Sequence, residues 1–162
     1  MWAAGHADSA MLKALLAAGA DPAPKDAPDY SAIVEAAKGG KAANIALLAA
    51  RGLDCSAKDK SGVPALAYAA TLSTQTVSAL LACKARVNAR DANGVTALIR
   101  AAQLGRSAAV KQLIAAGAKV DAKDKFGYTA LMWAAHGGWT ETVKTLIASK
   151  ASSDMKGNDG QT

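Results

Sequence analysis

The sequence predicts an all-α fold, a solenoid of stacked helix pairs, and three observations support this prediction. Similar phrases recur along the chain: NGVTALIRAA begins at residue 93 and FGYTALMWAA at residue 126. Each phrase carries apolar residues at the spacing of one helix face. The chain is also 51% hydrophobic but only 4% aromatic, a composition typical of thin, alanine-rich helices packed side by side. A fixed interval of this length indicates a repeat architecture.

Glycines set the register of the repeats. Gly94, Gly127 and Gly160 follow one another at 33 residues, and Gly62 precedes Gly94 by 32. We therefore expect one continuous domain over residues 1–162, in which a one-residue deletion falls between Ala70 and Val77. The predicted units are a partial repeat at 1–25, repeats at 26–58, 59–90, 91–123 and 124–156, and a partial repeat at 157–162.

The units 59–90, 91–123 and 124–156 each open with an Asp-x-x-Gly turn, in which the glycine is free to take a positive φ; in the unit 26–58, Asp29 replaces this glycine. The aspartates Asp26, Asp59, Asp91 and Asp124 form a row at this position, and we interpret them as turn residues rather than as catalytic acids. A helix N-cap belongs directly after the turn. Thr96 and Thr129 stand there with a hydroxyl to accept a free backbone N–H, and Pro64 takes the same place in its unit, which a helix start tolerates.

Two helices follow the turn. In the unit 91–123, Leu98, Ala101 and Ala102 define the buried face of the first helix, and Gly105 separates it from the second. Val110, Leu113 and Ile114 repeat the spacing on the second helix, which Gly117 ends in the usual left-handed cap position. The register predicts that one leucine per unit is core: Leu15, Leu48, Leu80, Leu113 and Leu146. A single unit cannot bury its apolar face alone, so neighbouring units must stack.

Lysines replace the cap glycine in two units, at Lys84 and Lys150. Each replacement costs up to about 1 kcal/mol of local stability, because a side chain disfavours the left-handed conformation.

The whole pattern resembles the ankyrin repeat family, over nearly all 162 residues. The resemblance implies helix–turn–helix pairs joined by β-hairpin-like loops, and a non-catalytic module that binds a partner protein through a concave face of hairpin tips and first helices. The family's Thr-Pro-Leu-His motif reads Thr-Ala-Leu-Ile at 96–99 and Thr-Ala-Leu-Met at 129–132. The residues that carry the resemblance are Asp91, Gly94, Thr96, Leu98, Ala101, Ala102, Gly105, Val110, Leu113, Ile114, Gly117, Ala118 and Val120, with their equivalents in the unit 124–156.

Residues for catalysis or metal binding are not brought together by this pattern. Of the two histidines, His6 belongs to the partial first unit and His136 to the last full unit, so they cannot share a metal ion or a proton. Neither Cys/His ligand spacing nor a phosphate loop or nucleophile elbow occurs. We expect no catalytic residue, no metal, no cofactor and no small-molecule substrate, and hence no enzyme. No apolar run approaches the length of a membrane span.

Cys55 and Cys83 lie in neighbouring units without a paired motif. We favour two unpaired thiols and a reducing, cytoplasmic setting. A 55–83 disulfide stays open, as does a periplasmic or secreted setting if a signal was removed before Met1. The richness in alanine favours a bacterial source. Met1 aligns with the middle of a first helix and Thr162 with a helix cap, so we expect either a fragment of a longer protein or chain ends that another structure covers.

A cation immediately precedes every new unit, at Lys25, Lys58, Arg90, Lys123 and Lys156. We call these five residues the cationic row. They either solvate the hairpins beside the turn aspartates, or they form a strip that steers an acidic partner. The net charge of +6 keeps the second interpretation open.

Aromatic residues concentrate in the last full unit, where Phe126 and Tyr128 flank Gly127 and Trp133 follows on the first helix. The position of Trp133 is held by Trp2, Glu35, Tyr68 and Arg100 in the other units, a mixture that is not typical of deep core. Trp133 is therefore either a binding anchor or a packing residue between first helices. Trp139, at the turn between helices, is expected to pack.

We predict a partner protein with an acidic or mixed surface, or an adjacent domain of the same chain, with this module as an inhibitor or an adaptor. The predicted partner-binding residues are Arg90, Asn93, Arg100, Lys123, Phe126, Tyr128, Trp133 and His136. Two alternatives are a nucleic-acid-binding basic surface and a purely structural spacer domain of a larger protein. The first is disfavoured, because the ~10 Å step between units fits a strand backbone poorly and the aspartate row repels phosphate.

Overall fold

The computed structural model describes residues 3–22 and 31–160, and this part of the chain contains ten short helices and no strand. The helices alternate between two rows. The first-helix row consists of α1 (Ala3–His6), α3 (Ala32–Lys38), α5 (Ala65–Leu72), α7 (Ala97–Gln103) and α9 (Ala130–His136). The second-helix row consists of α2 (Ser9–Ala17), α4 (Ala42–Ala49), α6 (Thr74–Ala82), α8 (Ser107–Ala115) and α10 (Thr140–Ala148).

Each helix packs on its pair partner and on the same helix of the next unit. In the first row α3, α5, α7 and α9 follow one another in order, and in the second row α4, α6, α8 and α10 do the same. The predicted all-α solenoid is thus confirmed. The exact boundaries of the units remain a prediction from the sequence.

Hairpin-like loops join the pairs without forming regular strands. Isolated antiparallel bridges pair Lys58 with Pro64 and Arg90 with Thr96. In the last full unit the N–H of Asp124 donates to the carbonyl of Tyr128 at 3.0 Å. These loops and the exposed side of the first-helix row make up what we call the front face.

The predicted caps are present. The Thr96 hydroxyl accepts the N–H of Ile99, and the Thr129 hydroxyl accepts the N–H of Met132. Pro64 occupies the N-cap of α5 without a side-chain bond. The one-residue deletion shortens the loop between α5 and α6 to Ser73, which serves both as C-cap of α5 and as N-cap of α6.

The core follows the predicted register with one exception. Leu48, Leu80, Leu113 and Leu146 are all fully buried, but Leu15 is 42% exposed and its assignment to the core is wrong. In the described part of the chain, α2 has a neighbouring pair on one side only, so the residues that point to the other side stay uncovered. Leu12 and Leu16 supply the buried surface of α2 instead.

The two lysines at cap positions take the left-handed conformation. Lys84 and Lys150 both have a φ of 63°, close to the region that Gly117 occupies with a φ of 88°. The backbone therefore keeps the family's cap geometry even where the residue is not glycine.

Cys55 and Cys83 form a disulfide, with their Cα atoms 6.1 Å apart. The favoured interpretation as unpaired thiols is therefore wrong, and the argument for a reducing, cytoplasmic setting falls with it, since disulfides are typical of oxidising compartments. The loop that follows one helix pair reaches the end of the second helix in the next pair. Cysteines at these two different repeat positions can meet for this reason.

Candidate functional site

The turn aspartates bind their own hairpins. In Asp59, Asp91 and Asp124, Oδ1 accepts the backbone N–H groups of the second and the fourth residue that follow, at 2.8–3.0 Å. This double contact closes the turn, as the sequence predicts for these three. Asp26 lies outside the described residues.

The second oxygen of each carboxylate binds the first helix. Oδ2 accepts the Tyr68 hydroxyl on Asp59 at 2.6 Å, the Arg100 guanidinium on Asp91 at 3.1 Å, and the Trp133 indole N–H on Asp124 at 2.8 Å. We call this arrangement the carboxylate clamp: one aspartate fixes both a hairpin and the side chain nine residues later. Sequence reasoning singled out the variable position but missed its bond. The signal was an Asp followed at a constant nine residues by a hydrogen-bond donor.

The clamp shifts the proton affinities of the pair in the unit 59–90. Burial pushes the pKa of Asp59 upward, but hydrogen bonds from Tyr68 and from two backbone N–H groups outweigh it, and the pKa lies below its usual value. Burial, together with the bond to Asp59, raises the pKa of Tyr68 to about 12. The phenol therefore stays a neutral donor and the carboxylate a charged acceptor over the whole neutral range.

The cationic row links successive hairpins. Lys58 Nζ donates to the carbonyl of Arg90 at 2.8 Å, Arg90 Nη1 to the carbonyl of Lys123 at 2.6 Å, and Lys123 Nζ to the carbonyl of Lys156 at 3.0 Å. Each cation thus reaches the next member of the row. Lys25 lies outside the described residues. Neither interpretation of the sequence predicted that these cations bridge successive hairpins. The charges nevertheless remain at the surface.

A second set of contacts runs parallel to the first. Backbone N–H groups of one unit donate to side chains of the unit before it: Arg86 to Ser56, Lys119 to Asn88 and Ser152 to Asp121, at 2.8–3.0 Å. Backbone bonds also join hairpin tips, from Lys125 to Asn93 and from Asn158 to Phe126. The hairpins therefore form one connected surface.

Three aromatic residues of the last full unit, Phe126, Tyr128 and Trp133, form a cluster on the front face. Phe126 is 60% exposed. The rings of Tyr128 and Trp133 lie 5.3 Å apart at 42°, and His136 meets Trp133 edge-on at 6.1 Å. The Tyr128 hydroxyl donates to Asp159. Phe126, Tyr128, Trp133, Asn158 and Asp159 line a groove of about 540 Å³, which we call the aromatic groove.

The predicted partner-binding residues fall into two groups. Phe126, Tyr128, Trp133 and His136 lie together in or beside the aromatic groove. The polar members have structural contacts of their own: Arg100 is held by Asp91, Arg90 and Lys123 belong to the cationic row, and the carbonyl of Asn93 accepts the N–H of Lys125. Trp133 is half-buried and clamped, so it combines the packing and the anchor geometry that the sequence left as alternatives. Trp2, its equivalent, is outside the described residues.

Trp139 packs, as expected, on the turn of the preceding unit. Its indole N–H donates to the carbonyl of Gln103 at 3.0 Å, and its ring lies against Gly105.

In residues 3–22 and 31–160, no group of three or more His, Cys, Asp or Glu side chains has the arrangement to hold a metal ion. The two histidines stand on α1 and α9, at opposite ends of the first-helix row. None of the helices that the structure describes is both long and apolar enough to cross a membrane.

Comparison with known families gives a match over the whole length of the sequence. The family model for ankyrin repeats (three copies) matches residues 1–91, 35–124 and 98–162, so the matches together extend from one end of the sequence to the other. Among curated proteins, no relative matches the chain.

Proposed function

The chain belongs to the ankyrin repeat family, and from this membership we propose that it binds a partner protein through its front face. Ankyrin repeats are generally protein–protein interaction modules and are typically non-catalytic. The partner surface is acidic or mixed, and the module acts as an inhibitor or an adaptor. The contact set is the one that the sequence predicts, with the aromatic cluster at its centre.

The observation that carries this proposal is the exposed but ordered aromatic cluster. Large aromatic side chains are favoured anchors in protein interfaces. Here two of the three rings are held in place through their polar atoms, Trp133 by Asp124 and Tyr128 by Asp159. Binding then costs little side-chain entropy, because the rings are ordered before the partner arrives.

The cations around the cluster support a mixed partner surface. Arg90 and Lys123 bind carbonyls rather than carboxylates, so their charge is not cancelled by a paired acid. The charge acts over distance and favours encounter with an acidic region of the partner. Asp159, beside Tyr128, is exposed and negatively charged, so the front face presents both signs.

A capture experiment tests the proposal. The wild-type chain and the Phe126→Ala/Tyr128→Ala variant are cross-linked to proteins in lysate of the source organism, at low and at high salt, and the captured proteins are identified by mass spectrometry. We expect a protein that the wild type retains and the variant loses. Ile147→Ala is the matched control, since Ile147 is 55% exposed on α10 of the second-helix row, and it should retain the same partner.

Two outcomes contradict the proposal. Equal capture by the wild type and the aromatic variant, combined with loss by Ile147→Ala, would put the binding surface on the second-helix row. Capture of nucleic acid alone, released with a steep dependence on salt, would favour the nucleic-acid alternative.

A further inference from the structure

We propose that the aromatic groove binds a basic side chain, arginine or lysine, of the partner polypeptide. This inference rests on the proposed function and names the chemistry of its central contact. It follows from a contact between a cation and a clamped ring within the chain, and from the groups that line the groove.

The chain itself contains one such contact. Lys38 Nζ lies 5.0 Å from the ring centroid of Tyr68 and 3.7 Å from Oδ2 of Asp59, the carboxylate that accepts the Tyr68 hydroxyl. A cation is attracted both to the face of an aromatic ring and to a carboxylate nearby. The unit 59–90 thus shows that a clamped ring and its aspartate together receive a cation from outside their own unit.

Trp133 on α9 is the next clamped ring after Tyr68 on α5, and Arg100 on α7 lies between them. The aromatic groove lies on the side of Trp133 away from Arg100, because Asn158 and Asp159, which follow α10, form its other wall. A ring clamped by an aspartate, the pair that receives a cation in the unit 59–90, therefore borders the groove.

The lining of the groove has the chemistry that a cation needs. Phe126, Tyr128 and Trp133 offer ring surface, and the indole N–H and the phenol O–H already donate to Asp124 and Asp159. The two carboxylates add negative charge beneath and beside the rings. A guanidinium stacks on aromatic faces and pairs with a carboxylate, whereas an anionic side chain would meet Asp159 and Asp124.

A mixed partner surface fits both parts of this face. A basic side chain enters the aromatic groove, while acidic side chains around it meet the exposed cations, among them Lys125. The acidic part of the partner, which the cationic row predicts, then surrounds this contact. The basic side chain of the partner lies at the centre.

The test uses the full chain labelled with ¹⁵N and the indole N–H resonance of Trp133, which is assigned by its loss in Trp133→Phe. The probe is a blocked pentapeptide with arginine at the centre of four glycines. The comparison peptides carry citrulline, which has nearly the same shape without charge, norleucine or lysine. We expect a saturable shift with the arginine and the lysine peptides, and at least tenfold weaker binding of the citrulline and norleucine peptides.

Two variants separate charge from shape. Asp159→Asn keeps an acceptor for the Tyr128 hydroxyl but removes the charge, and should weaken the arginine peptide about threefold to tenfold, as expected for one partly screened carboxylate. Asp154→Asn removes an exposed carboxylate outside the groove and should leave binding unchanged.

Equal binding of the citrulline and arginine peptides, or no shift of Trp133 with any peptide, would overturn the inference. An equal effect of Asp159→Asn and Asp154→Asn would overturn it as well. The proposed function is judged separately by the capture experiment: loss of a partner in Phe126→Ala/Tyr128→Ala, together with failure of the basic peptides, would keep the binding face and reject only the basic side chain.

Discussion

The indole of Trp139 lies so close to Gly105 that a Cβ atom on Gly105 would stand 2.4 Å from Cδ2 of the ring. Gly105 also has a φ of 64°, a conformation that costs any residue with a side chain. Glycine is thus required at position 105 for two reasons. The backbone turn of its own unit needs a positive φ, and the tryptophan of the next unit packs where a side chain would stand. The contact fixes how two neighbouring helix pairs meet at the edge opposite the hairpins.

Gly105→Ala is expected to lower the free energy of unfolding by about 2–3 kcal/mol, about 1 from the left-handed backbone and the rest from overpacking against the indole. In a Trp139→Ala background the same change should cost only about 1 kcal/mol. Urea denaturation of the four proteins closes a double-mutant cycle. Additive effects of the two substitutions would contradict the contact.

Leu113 and Leu15 hold the same repeat position with opposite burial, and this makes them a matched pair. Leu113→Ala should cost about 2–5 kcal/mol, because it leaves a cavity in a fully packed site. Leu15→Ala should cost less than about 1 kcal/mol, because the side chain is already 42% exposed. Thermal melts followed by circular dichroism measure both, and similar losses would show that Leu15 is covered in solution.

Lys84→Gly is expected to stabilise the chain by about 0.5–1 kcal/mol, because glycine adopts the left-handed φ of 63° without the steric cost of a Cβ. Lys150→Gly should do the same. The control is Lys111→Gly inside α8, where glycine should destabilise by about 1 kcal/mol. A loss of stability on Lys84→Gly, measured by urea denaturation, would mean that the lysine side chain makes a contact that outweighs the strain.

Reduction of the disulfide is expected to remove about 3–4 kcal/mol of stability, the entropic effect of a closed loop whose ends are 28 residues apart. Differential scanning calorimetry with and without reductant measures this. The Cys55→Ala/Cys83→Ala variant should have a melting temperature near that of the reduced wild type, and reductant should not change it. A wild-type melting temperature that reductant leaves unchanged would show that the bond does not form in solution.

The hydrogen bond between Tyr68 and Asp59 predicts a stability difference that depends on pH. Below pH 10 the phenol is protonated in both the folded and the unfolded chain, and the wild type should exceed Tyr68→Phe by about 1 kcal/mol. Above pH 10 the unfolded chain loses the proton first, because the folded pKa is about 12. The advantage should therefore shrink between about pH 10 and 12.

Guanidinium denaturation of both proteins at several pH values isolates this effect, since lysines titrate equally in the two chains. A difference that stays constant up to pH 12 would contradict the raised pKa of Tyr68. Asp59→Asn is a useful companion, because it removes the charge but keeps an acceptor for the hydroxyl and should reduce the difference at neutral pH.

The roles of the residues that recur in each repeat could be predicted, because each role follows from a local physical requirement. Thr96 caps a helix, Leu113 fills the space between two pairs, and the left-handed turn at Gly117 ends a helix. Such demands repeat in every unit, and a single register captures them.

The contacts that the repeat register did not predict each join two different positions of the repeat. The disulfide joins Cys55, in the loop after one helix pair, to Cys83, at the end of a helix in the next pair. A comparison of equivalent positions between repeats does not reveal this partner, because the two cysteines hold different positions. The carboxylate clamp joins Asp124 to Trp133 within one unit, but its donor changes from tyrosine to arginine to tryptophan. The exposure of Leu15 was not predicted because a register assigns the same burial to equivalent positions, whereas α2 has a neighbouring pair on one side only in the described part of the chain.

The disulfide also changes how the chain would respond to mechanical tension. A stack in which each unit contacts only its neighbours yields to pulling by releasing units one after another. The segment between Cys55 and Cys83 cannot lengthen while the bond holds, so roughly 90 Å of contour length stays hidden from an applied force. When the chain is stretched from its ends, the oxidised form would therefore extend less than the reduced form, because the disulfide prevents the segment between the two cysteines from unfolding to its full length.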